Sequence, residues 1–381
     1  MCIYFIVEII MFLLVMLTLK KRRVIENRNL LISCLLWALV AGLRAYSIGN
    51  DTLGYTAFFE GTNIKGVGYG TVQFPGDTIE WGFVTLSRFL YYFTENGTFF
   101  LLSNGFLVYL SIFLTYKDKM YGLWGFLIFM AIGNNFIVLN NAIRQSFSIG
   151  ILLIGIYFIQ KLPRKDKSIS WYNYVKQPYG VIGLLCCVFA GTVHRTSIML
   201  FPLLALVWLI PMTKKLGYVC VSVAFIGSMF FASYIGSFFD AMLTLIGGMS
   251  NDNVALLGDR YADTFGETSS SIIRNLAWVI PCMVCIGCSS KERIKSFYMK
   301  CYIFSVSSYL LFSASFMVTR LNLLFLILGF TVVIPEKVEK NDKLKMFYIL
   351  ATLYYLWRAY AGFEKWPFWQ DSSLPYYFFW E

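Results

Sequence analysis

The residues of this chain best suited to chemistry are arginines that stand beside carboxylate, amide, imidazole or phenol groups at the ends of apolar runs. Arg44 precedes Gly49-Asn50-Asp51 and Tyr55, and Glu80-Trp81-Gly82-Phe83 follows. Asn140-Asn141-Ala142-Ile143-Arg144-Gln145 gathers amides around a guanidinium. His194, the only histidine, adjoins Arg195, Thr196 and Ser197. Asp259-Arg260-Tyr261 and Thr319-Arg320-Leu321-Asn322 complete the set. The guanidinium is a planar fork of donors matched to phosphate and carboxylate oxygens. A carboxylate at Asp51 or an imidazole at His194 can accept a hydroxyl proton. Each position also has a structural reading. Asp51 can cap a loop, Glu80 can open a helix N-terminus, Arg260 can pair with Asp259 or Asp263 in water, and Arg320 can snorkel.

These residues must be positioned by membrane helices. Of 381 residues 58% are hydrophobic and 14% charged, with a mean hydropathy of +0.64. No soluble domain of this length buries so much apolar surface. The net charge of +11 sits in short loops between apolar runs, which marks orientation and excludes nucleic acid as a partner. Cys282, Cys285 and Cys288 have a ligand-like spacing, but their neighbours are lipid-type sequence, so packing is the expected role. Gly66, Gly68 and Gly70 lack the strand and helix of a nucleotide site, and no phosphate-loop or hydrolase motif occurs.

The apolar runs predict an all-α, polytopic protein of about twelve spans. They lie at 2–19, 30–46, 98–116, 121–138, 146–160, 178–193, 196–212, 216–235, 272–289, 297–315, 319–335 and 344–362. Residues 1–362 form a single transmembrane domain in this reading, followed by an aromatic tail, 363–381. Lys20-Lys21-Arg22-Arg23 follows the first run and places the N-terminus outside. The segment 80–93 is read as an external interfacial or re-entrant helix, because every later lysine-rich loop then falls inside. Two long loops, 47–97 and 236–271, and both termini are then outside. That side keeps only Lys65 and Lys365 as lysines, yet holds Arg44, Arg88, Arg144, Arg195, Arg260, Arg274, Arg320 and Arg358. Orientation does not explain the arginines.

In order and kind, the pieces Arg44…Asp51…Tyr55, Glu80-Trp81-Gly82-Phe83, Asn141-Ala142-Ile143-Arg144-Gln145, His194-Arg195-Thr196-Ser197, Arg260-Tyr261 and Arg320 resemble the EpsG/Wzy-like family of bacterial exopolysaccharide and O-antigen polymerases. The resemblance implies a GT-C-like glycosyltransferase in the bacterial cytoplasmic (inner) membrane, with its site on the external face. Its donor would be a growing chain on polyprenyl diphosphate, and its acceptor a hydroxyl of another lipid-linked repeat unit. Arg44, Arg144, Arg195, Arg260 and Arg320 would bind the diphosphate. Asp51 or His194 would be the base, with Glu80 beside them, and Tyr55, Asn141, Gln145 and Tyr261 would line the substrate. No cofactor is implied and arginine replaces a metal, although Asp51 with Glu80 leaves a metal open. Membrane lipids, a chain-length regulator and a flippase of the same pathway are the implied partners. An O-antigen ligase-type transferase and a lipid-linked oligosaccharide flippase or transporter are the rival readings. A transporter predicts charge at mid-membrane, where this chain has only Glu8.

Overall fold

The computed structural model describes residues 3–19, 23–45, 52–61, 79–132, 135, 139–140, 142–161, 177–230, 272–312 and 316–363. The described residues are all-α, with fifteen α-helices and a 3-10 helix at Glu336–Lys340. The chain divides into two compact units. The first takes Met1–Phe74, Thr78–Pro202 and Leu356–Glu381, and the second Pro75–Asp77 and Leu203–Tyr355.

The first unit holds α1 (Ile3–Thr18), α2 (Arg23–Gly42), α3 (Thr52–Gly61), α4 (Trp81–Tyr91), α5 (Gly97–Tyr116), α6 (Gly122–Ile132), α7 (Ile143–Gln160) and α8 (Pro178–Val193). Helix α9 (Thr196–Leu209) leaves it at Pro202. The second unit holds α10 (Lys214–Phe230), α11 (Ile272–Cys288), α12 (Lys291–Ile294), α13 (Phe297–Phe312) and α14 (Phe316–Phe330). Helix α15 (Asp342–Phe363) starts in the second unit and ends in the first.

Among the described residues, each expected apolar run is largely helical. Among the described residues, three helices are long and apolar enough to cross a membrane: α2, α5 and α7. About 18 residues are needed, since each adds about 1.5 Å of rise. Leu184, Leu185 and Val188 on α8, and Val219, Val223 and Ile226 on α10, turn large apolar side chains outward. Such continuous apolar surface suits lipid and not water. The chain is a membrane protein.

Small residues set how closely the helices approach. A Cβ on Gly155 of α7 would lie 2.9 Å from the Gly183 carbonyl oxygen of α8 and 3.0 Å from the Cys187 Sγ. The two backbones touch where only glycine fits, and the cysteine fills the flank, as expected for helix packing in lipid. In the second unit Pro281 interrupts α11. Proline has no N–H to bond the carbonyl four residues earlier. That carbonyl, of Ala277, instead accepts from the Tyr355 hydroxyl at 2.6 Å.

The stretch 47–97 is more than a loop, because it contains α3 and α4. At eleven residues, α4 is too short to cross a bilayer. Its Gly82, Phe83, Val84 and Ser87 are buried while its Trp81 and Phe89, and Tyr92 just past its end, are exposed. Phe83 contacts Tyr55 and Phe58 of α3, Phe100 of α5 and Phe147 of α7, with centroids 5.6–6.2 Å apart. This aromatic cluster fixes the four helices under the polar residues described next.

Candidate functional site

Glu80 precedes α4 with an extended backbone, φ −63° and ψ 137°. Its carbonyl accepts from Phe83 and Val84 N–H, but its side chain makes no cap to its own helix. The carboxylate points elsewhere. Oε2 accepts from Arg144 Nη1 at 2.7 Å. Oε1 is 3.1 Å from His194 Nδ1 and accepts from the Arg195 backbone N–H at 3.2 Å. One carboxylate thus joins the start of α7 to the turn between α8 and α9. The side chains of Glu80, Arg144 and His194 keep 9%, 13% and 17% of their exposure, so the group is part-buried.

Local structure holds each partner in place. Arg144 lies in the first turn of α7, and its Nε donates to the Tyr55 hydroxyl at 2.6 Å. Its guanidinium carbon lies 5.6 Å from the Tyr55 ring centroid, a cation–π geometry. His194 caps α8. Its N–H donates to the Ala190 carbonyl at 3.1 Å and its carbonyl accepts from Ser197 N–H at 3.0 Å. Ser197 is buried with its hydroxyl 2.5 Å from that of Ser148, which donates to the Ala190 carbonyl at 2.6 Å. Gly82 brings α4 against α8, since a Cβ there would lie 2.2 Å from Thr192 Oγ1 and 2.6 Å from the Thr192 carbonyl carbon. A larger residue would move Glu80 away from its partners.

The electrostatics follow from this geometry. Burial by itself would raise the Glu80 carboxyl. The hydrogen bond with His194, the charge of Arg144 and, when the ring is protonated, the charge of His194 outweigh it and hold the group at about 2. At neutral pH Glu80 is an ionised acceptor and a weak base. Two arginines and this single carboxylate leave the described cluster with an excess of positive charge, which favours an oxyanion ligand.

Arg44 is placed differently. It is 1% exposed, and its guanidinium donates to the carbonyls of Ala41 and Asn140, the latter at 2.8 Å. Thr52 Oγ1 and Asn140 Oδ1 lie at 3.4 Å, and Asn140 Nδ2 donates to the Tyr109 hydroxyl at 3.3 Å. The fork expected to meet a diphosphate is directed at the protein's own oxygens, binding the end of α2 to α3 and to the segment before α7. Thr52, Tyr109 and Ser148 were not among the expected site residues. Their signal was polarity inside or beside an apolar helix.

The structure therefore brings together Tyr55, Glu80, Arg144, His194 and Arg195, with Gln145 buried beside Arg144 on α7. Arg195 extends an exposed side chain. Arg320 is half-buried on α14 of the second unit, where Asn322 Nδ2 donates to the Ser305 carbonyl at 2.8 Å. Asp51, Asn141, Arg260 and Tyr261 lie outside the described residues. Among the described residues no group of three or more His, Cys, Asp and Glu side chains could hold a metal ion.

Comparison with protein families finds that the EpsG family model matches residues 27–378. No curated protein matches the chain, and no solved structure does.

Proposed function

The chain belongs to the EpsG family, and from that premise we propose that it is a membrane polysaccharide polymerase acting on polyprenyl-diphosphate-linked oligosaccharides. The growing chain leaves its lipid carrier for a hydroxyl of another lipid-linked repeat unit. The acceptor oxygen attacks the anomeric carbon, and the bond from that carbon to the diphosphate oxygen breaks. A protein base receives the hydroxyl proton, and cationic donors hold the departing polyprenyl diphosphate. No nucleotide enters the step.

The observation that carries this reading is the Glu80 cluster: a carboxylate shared by the sole histidine and Arg144, next to Arg195. Arg144 and Arg195 are the diphosphate ligands that this cluster supplies. Arg44 braces the frame that presents them. His194 or Asp51 is the base, and Tyr55, Asn141 and Gln145 line the substrate. The wider setting is a GT-C-like domain of about twelve spans in the bacterial cytoplasmic membrane, with termini and site outside. A flippase and a chain-length regulator of the same pathway are its partners.

The test is reconstitution of the purified protein with a polyprenyl-diphosphate-linked oligosaccharide, resolved on a gel. A ladder of chain lengths is expected. A single addition would identify a ligase-type transferase. Lipid moved across the vesicle without any new linkage would identify a transporter. Either outcome overturns the polymerase reading.

A further inference from the structure

His194 is the only histidine in the chain, and its contacts constrain its proton. Nδ1 lies 3.1 Å from Glu80 Oε1. That oxygen already accepts from Arg195 N–H, and the other carboxylate oxygen accepts from Arg144. A carboxylate in this setting is ionised and accepts only, so the nitrogen facing it must carry the hydrogen. The neutral ring then has its lone pair on Nε2. Three bonds remain within the about four lone-pair sites of a carboxylate.

The arrangement is rigid on both sides. The His194 backbone is held at N–H and carbonyl, as described above. Glu80 is fixed by the contact of Gly82 with Thr192 and by the packing of Phe83. An imidazole oriented by a third group through one nitrogen is prepared to act through the other.

Resting on the polymerase reading, we propose that Glu80 is a positioning residue that holds His194 as the Nδ1–H tautomer and makes Nε2, and not Asp51, the base for the acceptor hydroxyl. The acceptor O–H bond breaks and its proton goes to Nε2. The new O–C bond forms as the anomeric carbon loses its diphosphate oxygen, which keeps the electron pair. The imidazolium that results is stabilised by ionised Glu80 until it returns the proton to water. Arg144, on the other oxygen of the same carboxylate, ties the orientation of the base to the leaving-group side of the site.

A single histidine makes the test direct. Protein labelled with 15N at histidine and held in lipid nanodiscs gives one pair of ring resonances. The wild type is expected to show Nδ1 protonated and Nε2 bare, and Glu80→Gln a mixture of the two neutral tautomers. In the polymerisation assay Glu80→Gln and His194→Gln should each lower kcat by ~10²–10⁴-fold, with KM for the lipid-diphosphate oligosaccharide little changed. A wild-type spectrum with Nε2–H, or with both nitrogens protonated at neutral pH, overturns the proposal. So does a Glu80→Gln protein of unchanged tautomer and rate. The wild-type spectrum needs neither a stable variant nor substrate. A wild type that forms no polymer would therefore sink the polymerase reading, while the spectrum still decides the tautomer.

Discussion

Arg44 and Arg144 carry the same side chain in the same compact unit, and their surroundings give them different work. Arg44 is buried among backbone and hydroxyl oxygens that hold three segments together. Arg144 is part-buried and shares Glu80 with the sole histidine. A guanidinium committed to carbonyls inside the protein stabilises the fold. One that is part-buried and leans on a carboxylate and a phenol stands where the proposed function puts the diphosphate. Arginine type and position at the end of an apolar run therefore do not distinguish frame from site. The acceptors do.

The sharpest break in this comparison is Arg44→Ala. It strands buried carbonyls that now take charge-assisted hydrogen bonds, so a loss of about 3 kcal/mol or more is expected. Thermal unfolding in detergent should show a large fall in midpoint, and a small fall would move Arg44 out of the frame. Arg144→Lys should do the reverse. Charge survives while the bidentate fork is lost, so polymerisation should drop ~100-fold with the unfolding midpoint nearly unchanged. Near-normal polymer would return Arg144 to a structural role.

Gly82→Ala sits between the two regions. Overpacking against Thr192 should cost about 1–3 kcal/mol, and activity should fall more than the midpoint suggests because Glu80 is displaced. Wild-type activity and midpoint together would show that α4 and α8 part without harm. A further effect is confined to acid. The Glu80 carboxyl is lowered from 4.5 to about 2, so the unfolded chain binds the extra proton between those values. Its stabilisation is complete above about 4.5 and is lost as the pH falls toward 2. The midpoint difference between wild type and Glu80→Gln should thus hold above that range and close within it. A difference that instead widens in acid would contradict the assignment.

Much of the fold was legible because hydropathy is local. Among the described residues the apolar runs are largely helical, and the short stretch 80–93 holds α4, separate from the long helices. The residue types of the candidate site were legible, but their arrangement was not. Asp51 outranked Glu80 in sequence because a carboxylate just ahead of a helix ordinarily caps it. In the structure Glu80 leaves its own helix uncapped and serves residues 64 and 114 positions away. No periodicity encodes a pairing at that separation. The burial of Arg44 was hidden for the same reason, since its acceptor Asn140 is 96 positions distant.

The most direct measurement is the polyprenyl diphosphate released by the reconstituted protein for each repeat unit joined, with no nucleotide present. A transferase that uses the lipid diphosphate as its leaving group predicts one carrier released per new glycosidic linkage. Polymer that grows without carrier release, or release without new linkages, would contradict the account.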